Sequence, residues 1–203
     1  MFDRVTIHAS DLNASQRFYE TVLATLGVDS ADASGEIVQW RELAVAPGDS
    51  KVTRGLHIGF AAPSREHVDA FWQAGVEAGH LSDGEPGPRP QYRHDPYGSF
   101  LLDPDGNSAE AVHHGALRQG ELIDHLWIRV ADVAASKAFY EAIGPDTGLA
   151  LRDDLPERAQ FVGEGGSFSL VAGKPTENVT LTLRSKRGAA VVDPDGNLVA
   201  LTS

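Results

Sequence analysis

Cysteine is absent from the 203 residues. That excludes disulfide scaffolds, thiolate metal sites and cysteine nucleophiles. No apolar run approaches the roughly 18 residues of a membrane span, so no membrane partner is expected. Positive charge is scarce: 17 Lys and Arg stand against 29 Asp and Glu, for a net charge of −12. Such a chain is a poor match for a phosphate backbone or an anionic bilayer, which sets nucleic-acid binding aside. Met1 leads directly into a strand-like stretch without a basic and then apolar leader, so a cytoplasmic location is expected. No Gly-x-Gly-x-x-Gly follows a strand, and neither a Gly-x-x-x-x-Gly-Lys loop nor a Gly-x-Ser-x-Gly elbow occurs; Gly163-Glu164-Gly165-Gly166 reads as a turn. What is present is globular: 41% hydrophobic and 23% charged residues. The length suffices to bury roughly 70% of the unfolded surface without staples. These exclusions leave a protein that handles small molecules.

The chain repeats itself. Asp11, Leu12, Ser15, Phe18, Tyr19 and Glu20 return as Asp132, Val133, Ser136, Phe139, Tyr140 and Glu141, all at an offset of 121. Asp103-Pro104-Asp105-Gly106-Asn107 returns as Asp193-Pro194-Asp195-Gly196-Asn197 at an offset of 90. The second copy is therefore 31 residues shorter, and the loss begins near the counterpart of Ala62. A weaker shift of 53 lays Arg4, Phe18 and Tyr19 on His57, Phe71 and Trp72. Four related modules result, the last one truncated.

Local patterning gives each module the order βαβββ. Val5 to His8 is β-branched and strand-like. Asp11 caps a helix over Leu12 to Leu26 that closes at Gly27. Ile37 to Trp40, Leu43 to Ala46 and Gly55 to Ala61 read as strands. Ser64 opens a helix running to Ala78. The Gly- and Pro-rich stretch His80 to Pro96 reads as a long loop. Phe100 to Asp103 and Ala109 to His113 form a hairpin across the Asp-Pro-Asp-Gly-Asn turn. This turn lacks the later ligands of a calcium loop. Gly115 to Gly120 reads as a linker, and a third helix is expected over Val133 to Ile143.

A βαβββ module with Asp-Leu-x-x-Ser-x-x-Phe-Tyr after its first strand and Asp-Pro-Asp-Gly-Asn before its last resembles the vicinal oxygen chelate superfamily. That group includes glyoxalase I, extradiol dioxygenases, fosfomycin-resistance transferases and bleomycin-resistance proteins. The resemblance implies an α+β fold of paired modules curled around a shared cavity. Residues 1–114 correspond to a complete two-module domain, and residues 121–203 to a second whose last helix is deleted. It further implies a divalent metal held by His or Glu at the start of a module's first strand and by Glu on its last. Zinc, nickel, manganese and iron all suit such a set. The first-strand position holds Arg4, His57, His125 and Thr180; the last-strand position holds Glu110 in the first copy and Ala200 in the second. On this count the second copy reads as a lost metal site, with His125 structural.

Two arrangements stay open in the first copy. Residues 4, 6 and 8 share one strand face, with His8 about 6.6 Å beyond residue 4. In one arrangement His8, His57 and Glu110 form a shifted metal triad, and Arg4 orients an anionic substrate. In the other, Arg4 takes the metal's place and pairs with Glu110. Arg89, Tyr92, Arg93, His94, Asp95 and Tyr97 crowd into nine positions; Arg89 reads as substrate-binding, and His94 or Tyr97 as the group that moves protons. Trp40 either walls the cavity or fills core. His113 and His114 read as structural or surface residues. The leading expectation is a metal-dependent enzyme of the glyoxalase or dioxygenase kind acting on a compact oxygen-bearing substrate. The rival is a metal-free binding protein similar to bleomycin-resistance members. The truncated copy, as a packing partner, points to a monomer or loose homodimer.

Overall fold

A computed structural model describes residues 1–34, 36–90, 96–115 and 120–203. The first module runs β1 (Phe2–Ala9), α1 (Leu12–Ala24), β2 (Asp32–Ser34), β3 (Ile37–Trp40) and β4 (Leu43–Pro47). The second runs β5 (His57–Ala61), α2 (Arg65–Glu77), β6 (Ser82–Pro88), β7 (Tyr97–Leu102) and β8 (Ser108–His113). The third runs β9 (Ile123–Val130), α3 (Val133–Thr147), β10 (Ala150–Leu155), β11 (Arg158–Gly163) and β12 (Gly166–Ala172). The fourth keeps β13 (Thr180–Arg184), β14 (Ala189–Val192) and β15 (Leu198–Thr202), with no helix after its first strand. The expected paired βαβββ architecture is thus the observed one. No described helix is long and apolar enough to cross a membrane.

The repeated caps act as read. Asp11 Oδ1 accepts from the Ala14 amide at 3.0 Å, and Asp132 Oδ1 from Ala135 at 3.0 Å. Gly27 ends the turn after α1 at φ 76°. Two local expectations are corrected. Part of the Gly- and Pro-rich loop is the edge strand β6, pairing with β7 through two register irregularities. Pro86 and Pro88 fit there because an edge strand tolerates missing donors. The third helix continues four residues past Ile143, through Pro145, to the left-handed cap at Gly148.

How the modules pair decides the site. The seven-stranded sheet has the order β14-β15-β13-β1-β4-β3-β2, so the first module joins the fourth. The eight-stranded sheet has the order β10-β11-β12-β9-β5-β8-β7-β6, so the second joins the third. Each sheet therefore takes strands from both halves of the chain. At the seams β1 runs antiparallel to β13, with Arg4 opposite Thr182, and β5 antiparallel to β9, with Gly59 opposite His125.

The two repeated motifs also meet each other. The Tyr19 hydroxyl on α1 donates to Asp103 Oδ2 at 3.1 Å, and the Tyr140 hydroxyl on α3 donates to Asp193 Oδ2 at 3.3 Å. Asn107 Oδ1 accepts from the Leu56 amide, and Asn197 Oδ1 from Val179. Each Asp-Pro-Asp-Gly-Asn turn therefore clamps the helix of the preceding module and the entry to its own module's first strand.

Candidate metal centre and cavity

Glu110 on β8 stands in register with Gly59 on β5, and Gly59 with His125 on β9. The three positions form one row across the eight-stranded sheet. Glycine in the middle leaves room for the outer side chains to meet above it. A Cβ on Gly59 would lie 2.2 Å from His125 Cε1. A Cβ on Gly98 of β7 would lie 2.6 Å from Glu110 Oε1. His57, two residues before Gly59 and so on the same face, completes the group. His57 Nε2 is 3.0 Å from Glu110 Oε2 and 3.0 Å from His125 Nε2, and His125 Nε2 is 3.1 Å from Glu110 Oε2. All three ligand atoms lie within 4.8 Å of one another.

The arrangement has the donor atoms to hold a cation. His125 Nδ1 is 2.9 Å from Asp124 Oδ2, which turns its Nε2 toward the other two groups. A single proton on that Nε2 cannot bridge three mutual contacts among lone-pair atoms, whereas a divalent ion can satisfy them together. Two imidazoles and one carboxylate on one face make a donor set with open positions beyond it. The two glycines keep the space that the set needs.

Without an ion the group is strongly polarised. Burial pushes His57 down. Burial would also lower His125, but the Glu110 and Asp124 carboxylates outweigh it and bring it up to about 10. Burial raises the Glu110 carboxyl, yet His125 and His57 outweigh that and hold it at about 2. The His125 contribution to stability is fully present below its ordinary 6.5 and is lost as pH rises through about 10. The Glu110 contribution is present above its ordinary 4.5 and is lost as pH falls through about 2. Both describe one ion pair and do not add. The melting temperature of metal-free protein should therefore decline from pH 6.5 toward 10, and this alkaline limb should be shallower in Glu110→Gln. Calorimetry in a chelating buffer checks this; equal slopes would refute it.

A cavity of about 550 Å³ opens over the row, within the range of small-molecule sites. Phe100 of β7 lies on one side, its ring centroid 5.9 Å from that of His57. Trp127 of β9 lies on the other, with its ring centroid 5.3 Å from His57 and 6.0 Å from His125. His114, Arg129, Arg158 and Gln160 also line it.

The residues singled out from the sequence are distributed as follows. His57 and Glu110 meet, but His8 does not join them: it lies on β1 in the seven-stranded sheet, with Nε2 3.1 Å from Thr180 Oγ1. Arg4 lies on the same strand, opposite Thr182, and forms no pair with Glu110. Both corrections share a cause: β5 is flanked by β9 and β8, while β1 belongs to the other sheet. That sheet groups Arg4, Thr180 and Ala200, which leaves no ligand set at its equivalent place. Trp40 is buried against Tyr19, ring centroids 6.0 Å apart, and fills core. Tyr97 faces α2, donating to Asp69 Oδ1 at 2.8 Å, because it alternates with Gly98 and Phe100 on β7. Arg89 braces backbone, donating to the carbonyls of Glu85 and Gly98, with its guanidinium carbon 5.0 Å from the Phe100 ring. His94, with Tyr92, Arg93 and Asp95, lies outside the described residues. His125, expected from the sequence to be structural, instead stands with His57 and Glu110. The signal that finds it is simple: of the ligand positions in four modules, only His57, His125 and Glu110 carry groups that can bind a metal.

No family model matches the chain, and no curated protein does. Solved structures do match. A glyoxalase/bleomycin resistance protein from Albidiferax ferrireducens is 34% identical, the match covering 56% of this chain and 98% of that one, with a TM-score of 0.52. A variant of glyoxalase I from Zea mays is 17% identical over 98% of this chain and 91% of that one, with a TM-score of 0.68. A structure described as a putative dioxygenase from Bacillus subtilis is 10% identical over 98% and 84%, with a TM-score of 0.63. At those last two identities the likeness speaks for the fold alone.

Proposed function

Because the chain belongs to the glyoxalase/bleomycin resistance family of the vicinal oxygen chelate superfamily, we propose that it is a metal-dependent enzyme acting on a compact oxygen-bearing substrate. His57, Glu110 and His125 would hold one divalent ion per chain. The observation that carries this reading is the convergence of their three ligand atoms within 4.8 Å at the floor of a cavity. When bound, such an ion supplies Lewis acidity to adjacent substrate oxygens. The chain's own residues do the rest. Asp124 fixes the His125 ring through Nδ1. Phe100 and Trp127 present rings to the substrate and keep water from its apolar body. His114, whose Nε2 is 3.1 Å from Asp124 Oδ2, is, among the described residues, the cavity-lining imidazole outside the ligand set and would serve as proton acceptor.

The metal-free binding protein remains as a second reading on one observation: Glu110 Oε2 already has both imidazoles as partners without an ion. Metal content by mass spectrometry separates the two. Untagged protein is measured as purified and after loading with zinc, nickel, manganese or iron(II). About one ion per chain, together with turnover that a chelator abolishes, is the expected result. No retained ion after loading would sink the enzyme reading in favour of metal-free binding.

A further inference from the structure

The cavity wall opposite Phe100 comes from the third module and carries its own charge. His125, Trp127 and Arg129 alternate onto the concave face of β9. Arg129 is in register with Val171 on β12, and Val171 with Arg158 on β11. The two arginines therefore flank Val171 on one row, two strand spacings or about 9–10 Å apart. The Arg158 guanidinium carbon lies 5.2 Å from the centroid of the Trp127 ring. Its Nε is buried with no hydrogen-bond partner. Arg129 Nη1 makes a single long contact, 3.4 Å, to the Gly55 carbonyl.

Among the described residues neither guanidinium has a carboxylate within ion-pair distance. Other basic residues do: Arg54 has Asp105, Lys137 has Asp154 and Arg184 has Glu121. The chain has 29 acidic residues, so acid is not in short supply. The acids that line the cavity are engaged elsewhere. Asp153 pairs with Arg152, which also donates to Gln160. Asp83 accepts from Ser108 Oγ at 2.8 Å. Asp124 and Glu110 face the imidazoles. The surplus positive charge therefore sits at Arg158 and Arg129, and the Trp127 indole separates it from the metal ligands.

We infer that this cavity selects a substrate whose metal-binding end is joined to a carboxylate taken at the arginine wall. The carboxylate goes to Arg158, with Arg129 beside it, across Trp127 from the ion. The indole is placed for this span, its centroid 5.3 Å from the His57 ring and 5.2 Å from the Arg158 guanidinium carbon. A charge-assisted fork is the interaction that such a carboxylate offers. This inference rests on the preceding reading that His57, Glu110 and His125 hold a metal.

The test compares 3,4-dihydroxybenzoate with 3,4-dihydroxybenzamide, its neutral counterpart of the same shape, by calorimetry on zinc-loaded protein. The acid should bind roughly ten- to a hundredfold more tightly. Arg158→Gln should abolish that preference while leaving zinc affinity unchanged, which also reports that the variant is folded. Equal affinity for acid and amide in the wild type would overturn the inference. So would a preference that survives Arg158→Gln, or inorganic phosphate displacing the acid at lower concentration than benzoate does. If zinc does not bind, the metal reading has failed by itself. Benzoate against benzamide on metal-free protein, wild type and Arg158→Gln, then still reads the arginine, with the same two outcomes.

Discussion

Replacing His125 with alanine is expected to lower affinity for a divalent metal by roughly a hundredfold or more. The size follows from sharing the 10–16 kcal/mol of a structural zinc site among its ligands, about 3 kcal/mol each. His57→Ala and Glu110→Ala should lose as much, because the three atoms form one set within 4.8 Å. His8→Ala should lose nothing, since His8 contacts Thr180 in the other sheet. Competition against a metallochromic dye measures all four. This quartet separates the observed cluster from a triad confined to the first 114 residues. Loss in His8→Ala with retention in His125→Ala would reverse the assignment. His125→Ala should also release Asp124 from one of its imidazoles, leaving His114 as a partner. The protein should therefore remain folded, and circular dichroism provides the control.

The difference between those two triads marks how far the sequence could be read. Offsets of 121, 90 and 53 place the six ligand positions, and in the structure His57 and Glu110 share one face. The modules themselves follow from local signals such as Asp11 and Asp132 capping their helices. Which module lies beside which is a different kind of information. It depends on β5 pairing with β9 rather than β1, a contact between residues 57 and 127 whose determinants are spread over both strands. No single residue announces it. His125 was therefore legible as a ligand type at a ligand position, but not as the partner of His57. Arg4 and His8 share their strand face as expected, yet the face belongs to the other sheet. Tyr97 and Arg89 illustrate the opposite problem. Both stand near the site in sequence, and alternation on β7 or bonds to backbone carbonyls take them out of it. The arginine wall was the least visible, because Arg129 and Arg158 become neighbours only through the register of β12.

Asp103→Ala is expected to destabilise the fold by about 3–5 kcal/mol. The side chain is 4% exposed and gathers four donors. Oδ1 accepts from the Asp105 and Asn107 amides at 2.9 and 2.8 Å. Oδ2 accepts from Tyr19 Oη at 3.1 Å and from Asn107 Nδ2 at 3.0 Å. Burial nonetheless raises the Asp103 pKa, so the cost of desolvating the charge already offsets part of those bonds. That is why the expected loss is well below four full charge-assisted bonds. Asp193→Ala removes the equivalent clamp, whose bonds to Tyr140 and Asn197 are slightly longer at 3.3 and 3.2 Å. It should cost a comparable or somewhat smaller amount. The two variants should part company at the metal. The Asp103 turn leads into β8, which carries Glu110, whereas the Asp193 turn leads into β15, which carries Ala200 in the other sheet. Metal affinity, measured where each variant is still folded, should fall in Asp103→Ala and hold in Asp193→Ala. Urea denaturation supplies the stability and dye competition the affinity. Equal metal affinity in both variants would mean that the pairing of β8 with β5 and β7, not the turn, holds Glu110 in place.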